Sequence, residues 1–596
     1  MKKAALFLIV VLAPALCGAR IITVDDNTPA DFNNIQAAID DANDGDTVEI
    51  QPGTYTGPGN RDIDFLGKRI TVCSIDPNDP NTVSQTIIDC NGTSGDPHRG
   101  FHFHSKEDAN SVLAGLTVTN CLMGPGAGVY CEDSSPLITN CTFSNSSGQS
   151  VIYQRYPDNG GTLRIVKCAI TGNWAMGVYC DAGPEVLRIN LTDCVISGSM
   201  FDGVYSDHRG RPVEISITGC VISNNGGTGV ANFNGAMSDC TISGNSDMGV
   251  SEFNGTISNC TISDNSKAGI SGGGGSLNNC IVSENAGNAG VYRFNGDISN
   301  CVVRGNYSSG IANCVGTISG CTIIDNTAGF GGGGGIRCAG IGTEEGELTR
   351  ISDCVISGNS TIGSGGGIYC SNYSPEIVNC IITRNQVLDS ANPTTGGGAI
   401  ATLRLVSPII RNCTITENSG KIANAILCLG NVTITNCVIW GNVGPRPIAL
   451  RQDSTLNISW SDLEYGQSKV SLQPDCTLNW GPGNIDADPC FVDVDDRDYR
   501  LKSQAGRFDP NNDSWVLDDV TSPCIDVGDP MTPIMHEPFP NGGIVNMGVY
   551  GGTAEASKSH FGKPPCEIIV AGDINGDCEV SFLDFRLMAV HWLKDR

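Results

Sequence analysis

Aromatic and charged side chains are both scarce in this chain of 596 residues: Phe, Trp and Tyr amount to 6%, and Asp, Glu, Lys and Arg to 16%. This composition, together with 76 glycines, disfavours helical domains and is typical of short strands joined by tight turns. Basic residues number 35 against 63 acidic ones, and the net charge of −28 argues against nucleic acid and anionic membranes as partners. The acidic surface permits cations, including calcium, and neutral or calcium-bridged glycans.

Long apolar runs and paired cysteine motifs are missing as well. Beyond the N-terminal run, no segment is continuously apolar over the about 20 residues that a membrane-spanning helix needs, so no transmembrane segment is expected. No Cys-x-x-Cys occurs and the seven His are scattered, so we do not expect a Cys/His metal site.

The N-terminus has the features of a secretory signal. Lys2 and Lys3 precede an apolar run from Ala4 to Leu16, and small residues follow at 17–19. We interpret residues 1–19 as a cleaved signal peptide and expect an exported, soluble protein. A lipid anchor on Cys17 is the alternative, but bulky Leu16 stands where lipoprotein signals carry a small residue.

The main signal is an internal repeat of cysteines. Fourteen cysteines keep one phase, and six of their thirteen intervals are 20 or 21 residues, whereas the others run from 24 to 33. They are Cys121, Cys141, Cys168, Cys194, Cys220, Cys240, Cys260, Cys280, Cys301, Cys321, Cys354, Cys380, Cys413 and Cys437. Most begin the pattern Cys-x-aliphatic-x-x-Asn, and eleven of the fourteen carry that Asn. A spacing of two places Cys and the aliphatic residue on one face of a strand.

About 20 residues suffice for one coil, meaning one turn of three short strands stacked about 4.8 Å above the last in parallel pairing. Like residues then stack on like, and an Asn at a bend can hydrogen-bond to the Asn above and below. This pattern resembles the pectate-lyase-like superfamily of right-handed parallel β-helices, over roughly residues 100 to 450. The resemblance implies an all-β solenoid, but fold alone does not imply function.

A second strand in each coil is marked by Gly-Val-Tyr or its close relatives. It recurs at 128–131, 177–180, 203–206 and 367–370, with Val or Ile expected to face inward. Glycine runs before it, such as 331–335, supply the backbone freedom of a sharp corner.

The 28 cysteines of an exported protein would ordinarily indicate a disulfide framework. Side chains stacked in parallel strands lie about 4.8 Å apart, whereas disulfides need Cβ atoms about 3.5 to 4.5 Å apart. We therefore predict that the cysteine ladder is inward-facing and reduced. Cys73 with Cys90, and Cys566 with Cys578, are better disulfide candidates.

Segments with a different pattern flank the repeats. Helical spacing of apolar residues over Asp31–Ala42 predicts a capping helix, and 47–51 predicts a strand. Segments 486–501, 522–526 and 546–552 resemble the closing segment of bacterial β-helices. The expected organisation is a signal peptide at 1–19, an N-terminal cap with first coils at 20–100, β-helix repeats at 101–450, a C-terminal cap region at 451–556, a linker at 557–565 and a separate tail at 566–596.

The tail has the oxygen-ligand spacing of an EF-hand loop, followed by an amphipathic helix marked by Phe585, Met588 and Trp592. The predicted calcium ligands are Asp573, Asn575, Asp577, Glu579 through its carbonyl, Ser581 and Asp584. The segment resembles one repeat of a dockerin, which implies a cohesin-like partner. Three departures count against docking: dockerins carry two repeats, Cys578 occupies the usual Gly position, and Phe582-Leu583 replace a small polar pair.

No catalytic set is recognisable, because the adjacent Asp pairs all lie outside the repeat strands. One surface cluster stands out on four successive second strands. Its expected outward columns are Tyr130, Tyr153, Tyr179 and Tyr205, and beside them Glu132, Arg155, Asp181 and Asp207, with His208 and Arg209 adjoining. Tyr faces stack on sugar rings, and the acids can bind calcium or transfer protons. The competing interpretation is a solvated strip with Tyr chosen for strand propensity.

Two function classes follow from these observations. The first is a protein that binds or cleaves extracellular polysaccharide, with Tyr130, Tyr153, Arg155, Tyr179 and Tyr205 as binding residues. Its catalytic candidates are Glu132, Asp181, Asp207, His208 and Arg209. The second is a non-catalytic surface or adhesion scaffold.

Overall fold

The computed structural model describes residues 19–27, 29–155, 161–181, 186–207, 213–339, 350–388, 395–560, 574 and 580–592. About 43% of the chain is strand and 5% helix, and the long parallel sheets are those of a right-handed parallel β-helix, so the predicted fold class is confirmed. The chain forms two compact units, an N-terminal unit of 1–200 with 206–214 and a C-terminal unit of 201–205 with 215–596.

The N-terminal unit contains two helices in its described part, Ile35–Asp41 and Pro80–Gln85. Its strands are Ile21–Val24, Thr47–Ile50, Gly53–Thr56, Ile63–Asp64, Thr71–Ser74, Thr86–Asp89, Phe101–Phe103, Val112–Ala114, Thr117–Thr119, Leu122–Met123, Val129–Glu132, Leu137–Thr139, Thr142–Ser144, Ser147–Arg155, Thr162–Val166, Ala169–Thr171, Trp174–Asp181, Leu187–Thr192 and Val195–Ser197. Two of the three boundaries between the units fall within the strands Val204–Asp207 and Val213–Thr218, and the third lies between residues 200 and 201.

The C-terminal unit continues with short strands and ends on the helix Phe582–Trp592. Its strands are Val221–Ser223, Val230–Ser238, Thr241–Ser243, Val250–Ser258, Thr261–Ser263, Ile270–Ser271, Gly274–Asn278, Ile281–Ser283, Ala289–Tyr292, Asn295–Ser299, Val302–Arg304, Ser309–Ala312, Thr317–Ser319, Thr322–Ile324, Thr327–Ala328, Ile336–Cys338, Arg350–Ser352, Val355–Ser357, Ser360–Thr361, Ile368–Cys370, Glu376–Val378, Ile381–Thr383, Gln386–Val387, Ile400–Thr402, Ile409–Arg411, Thr414–Thr416, Ile426–Cys428, Val432–Thr435, Val438–Trp440, Ile448–Leu450, Thr455–Ser459, Asp462–Leu463, Ser471–Leu472, Thr477–Trp480, Phe491–Asp493, Asp498–Leu501, Arg507–Asp509 and Ser514–Val516, with a 3-10 turn at Gln467–Lys469.

Parallel pairing stacks like residues on like within each unit. In the C-terminal unit Ile242 pairs with Ile262, which in turn pairs with Val282, and all three are fully buried. In the N-terminal unit the pairing starts at Ile21, and in the C-terminal unit it continues to Thr477–Trp480. Coils therefore extend past residue 450 into the segment that the sequence assigned to a C-terminal cap region.

Each coil bends at a residue in the left-handed backbone region directly before the ladder cysteine. Asn140 has a φ of 53°, Asp239 of 57° and Asn379 of 51°, a conformation that Asn and Asp adopt more readily than other side chains. The cysteine then points inward, and the thiol of Cys240 donates to the carbonyl of Ser238 at 3.1 Å. All fourteen ladder cysteines are buried and are free thiols in the structure, as the spacing predicts.

The repeated Asn forms the predicted ladder. In the C-terminal unit Asn245 Nδ2 donates to Asn265 Oδ1 at 2.9 Å, and Asn265 Nδ2 donates to Asn285 Oδ1 at 2.9 Å. The backbone N–H of each Asn also donates to the next Asn Oδ1, at 3.1 Å for Asn245. These bonds satisfy amides that are fully buried.

The predicted disulfide between Cys73 and Cys90 is wrong. Cys73 is a buried free thiol on the strand Thr71–Ser74. Cys90 follows a strand of the other sheet, and its Sγ lies 2.8 Å from the Sγ of Cys121. Cys566 and Cys578 lie outside the described residues.

The capping helix is confirmed, but it is shorter than its apolar pattern. It begins after Asn34, whose side chain accepts the N–H of Ala37, and it buries Ile35, Ala38 and Ile39. Phe32 is not helical, because its N–H and carbonyl pair with the backbone of Thr23 and Asp25.

The region after the last coil packs against the ladder of the C-terminal unit. Two antiparallel hairpins join Phe491–Asp493 to Asp498–Leu501 and Arg507–Asp509 to Ser514–Val516. A buried cluster of Val438, Leu501, Cys524, Ile525 and Met547 connects the region to the coils. In the part of the chain that the structure describes, no helix is both long and apolar enough to cross a membrane.

Candidate functional site

The candidate site is an outward-facing strip on the N-terminal unit, built by the second strand of successive coils. Tyr130 pairs with Tyr153, which pairs with Tyr179, so these three tyrosines stand in register as predicted. We call them the tyrosine column. The same pairing aligns Glu132 with Arg155 and Arg155 with Asp181. With Asp207 they form what we call the charged column.

The rings of the tyrosine column stack on one another. Ring centroids of Tyr130 and Tyr153 are 5.3 Å apart at an interplanar angle of 12°, and those of Tyr153 and Tyr179 are 5.2 Å apart at 5°. The three side chains are only 6 to 7% exposed. Because the ring faces cover one another, they do not offer the stacking platform for sugars that the sequence indicated, and only their edges and hydroxyls point outward.

Hydrogen bonds tie the two columns together. The Tyr153 hydroxyl donates to Asp181 Oδ2 at 2.9 Å, and the Tyr179 hydroxyl donates to Asp207 Oδ2 at 3.4 Å. Burial and the bond to Asp181 raise the pKa of Tyr153, so this hydroxyl stays protonated and remains a donor.

Arg155 links the two columns through Glu132 and Tyr130. Its Nη1 donates to Glu132 Oε1 at 3.2 Å and to the Tyr130 hydroxyl at 3.4 Å. The bond to Tyr130 is the main cause that raises the pKa of Arg155, and Glu132 adds to it. The side chains of Arg155 and Glu132 are 42% and 43% exposed, so both groups are accessible to a ligand.

Tyr205, His208 and Arg209 are the remaining predicted residues. Tyr205 belongs to the C-terminal unit, where it pairs with Ala231, followed by Ser251 and Ser271. The aromatic character therefore ends on that side, as the sequence predicted. His208 and Arg209 lie outside the described residues.

Sequence reasoning missed a cluster of basic side chains at the other end of the column. His102 pairs with Tyr130, with ring centroids 5.1 Å apart, and His104 stacks on His102 at 4.1 Å. The guanidinium of Arg99 lies 4.6 Å from the Tyr130 ring centroid, a cation–π contact. The His-x-His alternation around a strand was the available signal, since residues two apart share a face.

Burial determines the charge of His102 in this cluster. It lowers the pKa of His102 to about 4, helped by His104 and Arg99, so His102 is neutral at pH 7. Its Nε2 and the Nη1 of Arg99 have no hydrogen-bond partner among the described residues. His104 Nε2 lies 2.9 Å from Asp64 Oδ2 and is 39% exposed. No group of three metal-ligating side chains occurs within the described ranges.

The carboxyl groups of the strip all take part in hydrogen bonds or an ion pair. Glycoside hydrolysis needs one carboxyl group as acid and a second as base or nucleophile. Asp181 and Asp207 instead each accept a tyrosine hydroxyl, and Glu132 is paired with Arg155.

The predicted calcium loop is only partly described. Asp573, Asn575, Asp577 and Glu579 lie outside the described residues. Asp584, at the last loop position, is buried and accepts the N–H of Ile574 at 2.7 Å and of Ser581 at 2.6 Å. Asp584, at the last loop position, therefore bonds to the backbone of the second and ninth positions. The helix predicted after the loop is observed at Phe582–Trp592.

Comparison with known proteins gives two family matches. The right-handed β-helix region family matches residues 156–306, and the disaggregatase-related family matches residues 473–528. No curated protein matches the chain by sequence.

Several solved structures are similar at low identity. Pectate lyase Pel9A is 13% identical and covers 90% of this chain and 97% of its own, with a TM-score of 0.21. The A-module of the Azotobacter vinelandii mannuronan C-5 epimerase AlgE4 is 13% identical over 76% of this chain and 95% of its own, with a TM-score of 0.28. A rhamnogalacturonan lyase is 13% identical over 61% of this chain and 87% of its own, with a TM-score of 0.23. Similarity at this level carries no argument about function.

Proposed function

We propose that this protein is exported and binds extracellular polysaccharide through the outward strip of its N-terminal unit. The observation that carries the proposal is the network of hydrogen-bonding groups in register on successive coils, with accessible charged groups at Arg155, Glu132 and His104. Coils repeat about every 4.8 Å, so the strip presents donors and acceptors at regular intervals to an extended glycan chain.

The geometry supports edge-on recognition, in which the strip binds the hydroxyl groups of the sugar instead of stacking on its ring. Hydroxyl groups of a glycan can accept from Arg155 and donate to Glu132, while the buried tyrosines hold the acids in place. Asp181 Oδ1 is buried and has no hydrogen-bond partner in the described part of the chain. A carboxylate on the glycan could exchange for Glu132 on Arg155, because guanidinium favours bidentate pairing.

A non-catalytic scaffold is the second candidate. The observation in its favour is that the tyrosine rings cover one another and their side chains are only 6 to 7% exposed. On this hypothesis the column stabilises the coils and the charged column is only a solvated edge.

The test is a glycan panel, neutral and acidic, scored for binding and for new reducing ends or unsaturated products. Arg155→Gln is compared with Arg188→Gln, because both arginines pair with a glutamate and are 42% and 43% exposed, but Arg188 lies outside the strip. We expect Arg155→Gln to weaken binding about tenfold or more, since hydrogen bonds between charged groups contribute about 1.5–3 kcal/mol, and Arg188→Gln to bind like the parent.

Variants at Asp181 and Tyr179 distinguish edge-on recognition from a strip that has only a structural role. Edge-on recognition predicts that Asp181→Ala weakens binding, whereas Tyr179→Phe, which keeps the ring but loses the hydroxyl to Asp207, has a smaller effect. If Arg155→Gln, Asp181→Ala and Tyr179→Ala all bind the glycan like the parent, the strip is structural and the scaffold hypothesis holds.

We also propose that residues 573–584 bind one calcium ion through Asp573, Asn575, Asp577, Ser581 and Asp584, with the Glu579 carbonyl. The described part fits such a site, because Asp584 is buried and accepts the N–H groups of Ile574 and Ser581. An oxygen-rich loop of this spacing is the set of ligands that calcium prefers.

A further inference from the structure

A cleft in the C-terminal unit contains an arginine whose Nε has no hydrogen-bond partner among the described residues. Its volume is about 410 Å³, and glycine, alanine and serine make up most of its lining, with Asn288, Tyr292, Asn313 and Arg337 as the larger polar side chains. The cleft exists because Ala312 stands between Tyr292 and Arg337 on successive strands, so that one coil lacks an outward side chain.

Arg337 lines this cleft. Its Nε is buried and has no hydrogen-bond partner among the described residues, and no ion pair to it occurs there. Tyr369 pairs with Arg337 on the next strand, so the two side chains share one face of the sheet. No Asp or Glu lines the cleft within the described ranges.

A second arginine lies beside Tyr292, which lines the cleft. The guanidinium of Arg293 is 5.0 Å from the Tyr292 ring centroid, and Arg293 is exposed. An unpaired buried guanidinium atom costs free energy unless a partner satisfies it.

We propose that this cleft binds a carboxylate-bearing sugar of an acidic polysaccharide. The guanidinium of Arg337 pairs with the sugar carboxylate, since its planar fork matches that group. Asn313 Oδ1, which is buried and has no partner in the described chain, accepts a hydroxyl of the same sugar. The ring of Tyr292 and the 86% exposed Phe330, whose neighbours Gly329 and Gly331 line the cleft, contact the apolar face of the sugar. The choice of a sugar as ligand rests on the proposed function.

The experiment measures binding of galacturonate, mannuronate and guluronate hexasaccharides to the full chain by calorimetry, with the methyl esters as neutral controls. We expect at least one hexasaccharide to bind and its methyl ester to bind at least about tenfold more weakly. Arg337→Gln should remove this difference. Asn313→Asp, which adds a negative charge to the lining with almost no change in shape, should weaken binding of the acidic form.

Arg304→Gln is the matched control, because Arg304 is an exposed arginine of the C-terminal unit that does not line the cleft. It should bind like the parent. Circular dichroism of each variant verifies that the coils are intact.

The outcomes distinguish the two proposals. If acidic hexasaccharides bind and Arg155→Gln weakens them while Arg337→Gln and Asn313→Asp do not, the cleft proposal is overturned and the strip stands. If Arg337→Gln removes binding and Arg155→Gln does not, the cleft proposal stands and the strip is overturned as the site. Binding of no hexasaccharide, or equal binding of acid and ester, overturns the cleft proposal.

Discussion

The asparagine ladder of the C-terminal unit makes a sharp prediction, for which Asn306→Ala is the perturbation. Asn306 is 1% exposed. Its Nδ2 donates to Asn326 Oδ1 at 2.8 Å, to the Val282 carbonyl at 3.1 Å and to the Arg304 carbonyl at 3.2 Å. Its Oδ1 accepts both the backbone N–H and the Nδ2 of Asn285, each at 3.1 Å.

The substitution leaves one buried donor without an acceptor. The backbone N–H of Asn285 loses its bond, whereas Asn285 Nδ2 keeps the carbonyls of Ile262 and Ser283. Asn326 Oδ1 likewise keeps the backbone N–H of Asn306. An unsatisfied buried donor costs about 1–3 kcal/mol, and each of the other lost bonds contributes about 0.5–1.5 kcal/mol, offset because a buried polar side chain is removed with them. We expect a loss of about 3 kcal/mol.

Hydrogen exchange with mass spectrometry checks this locally, because the stability of a repeat protein is a sum over coils and their neighbours. A loss of about 3 kcal/mol corresponds to about 100-fold faster exchange of protected amides in the coils around Asn285. Asn254→Ala, at an exposed strand position of the same unit, is the control and should leave exchange unchanged. Equal exchange in the two variants would refute the reasoning that the ladder stabilises the coils.

Three further predictions test the core, the C-terminal region and the tail. Thiol labelling without reductant should modify few cysteines in the native protein and many after unfolding, because the ladder thiols are buried and free; almost no labelling in either state would mean disulfides. Burial raises the pKa of Asp462 and of Glu537, each to about 7. The folded state therefore binds protons more tightly than the unfolded chain, whose carboxyl groups have pKa values of about 4, and the free energy of unfolding should fall by a few kcal/mol between about pH 4 and 7. Asp462→Asn and Glu537→Gln should flatten a denaturation profile measured from pH 5 to 8, and an unchanged slope would contradict the assignment. Calorimetry of the full chain should detect one calcium ion whose affinity drops at least about tenfold in Asp573→Ala, and unchanged affinity would exclude the loop.

Much of the fold follows from periodicity alone. The interval between cysteines and the spacing of two from Cys240 to Ile242 are enough to predict coils, inward thiols and the Asn ladder, because parallel stacking brings equivalent residues together at a fixed height. The capping helix was predictable for the same reason, from apolar residues at helical spacing. Its true start at Ile35 was not, because Phe32 pairs with the backbone of Thr23, a contact between residues that only the folded chain brings together.

The candidate site, like the fold, could be predicted from the sequence only in part. Alignment of the second strand between coils was enough to predict that Tyr130, Tyr153 and Tyr179 share one face, since parallel stacking places equivalent residues of successive coils above one another. Only the tertiary structure decided how those rings use that face. At a centroid spacing near 5 Å they stack on one another instead of presenting their faces to a ligand. Likewise, a sequence can show that Arg337 lies on a strand, but the absence of a side chain beyond Cβ at Ala312, one coil away, is what opens a cleft beside it. The repeated local pattern is visible in the sequence. The space beside a side chain depends instead on which residues the stacking of coils places next to it.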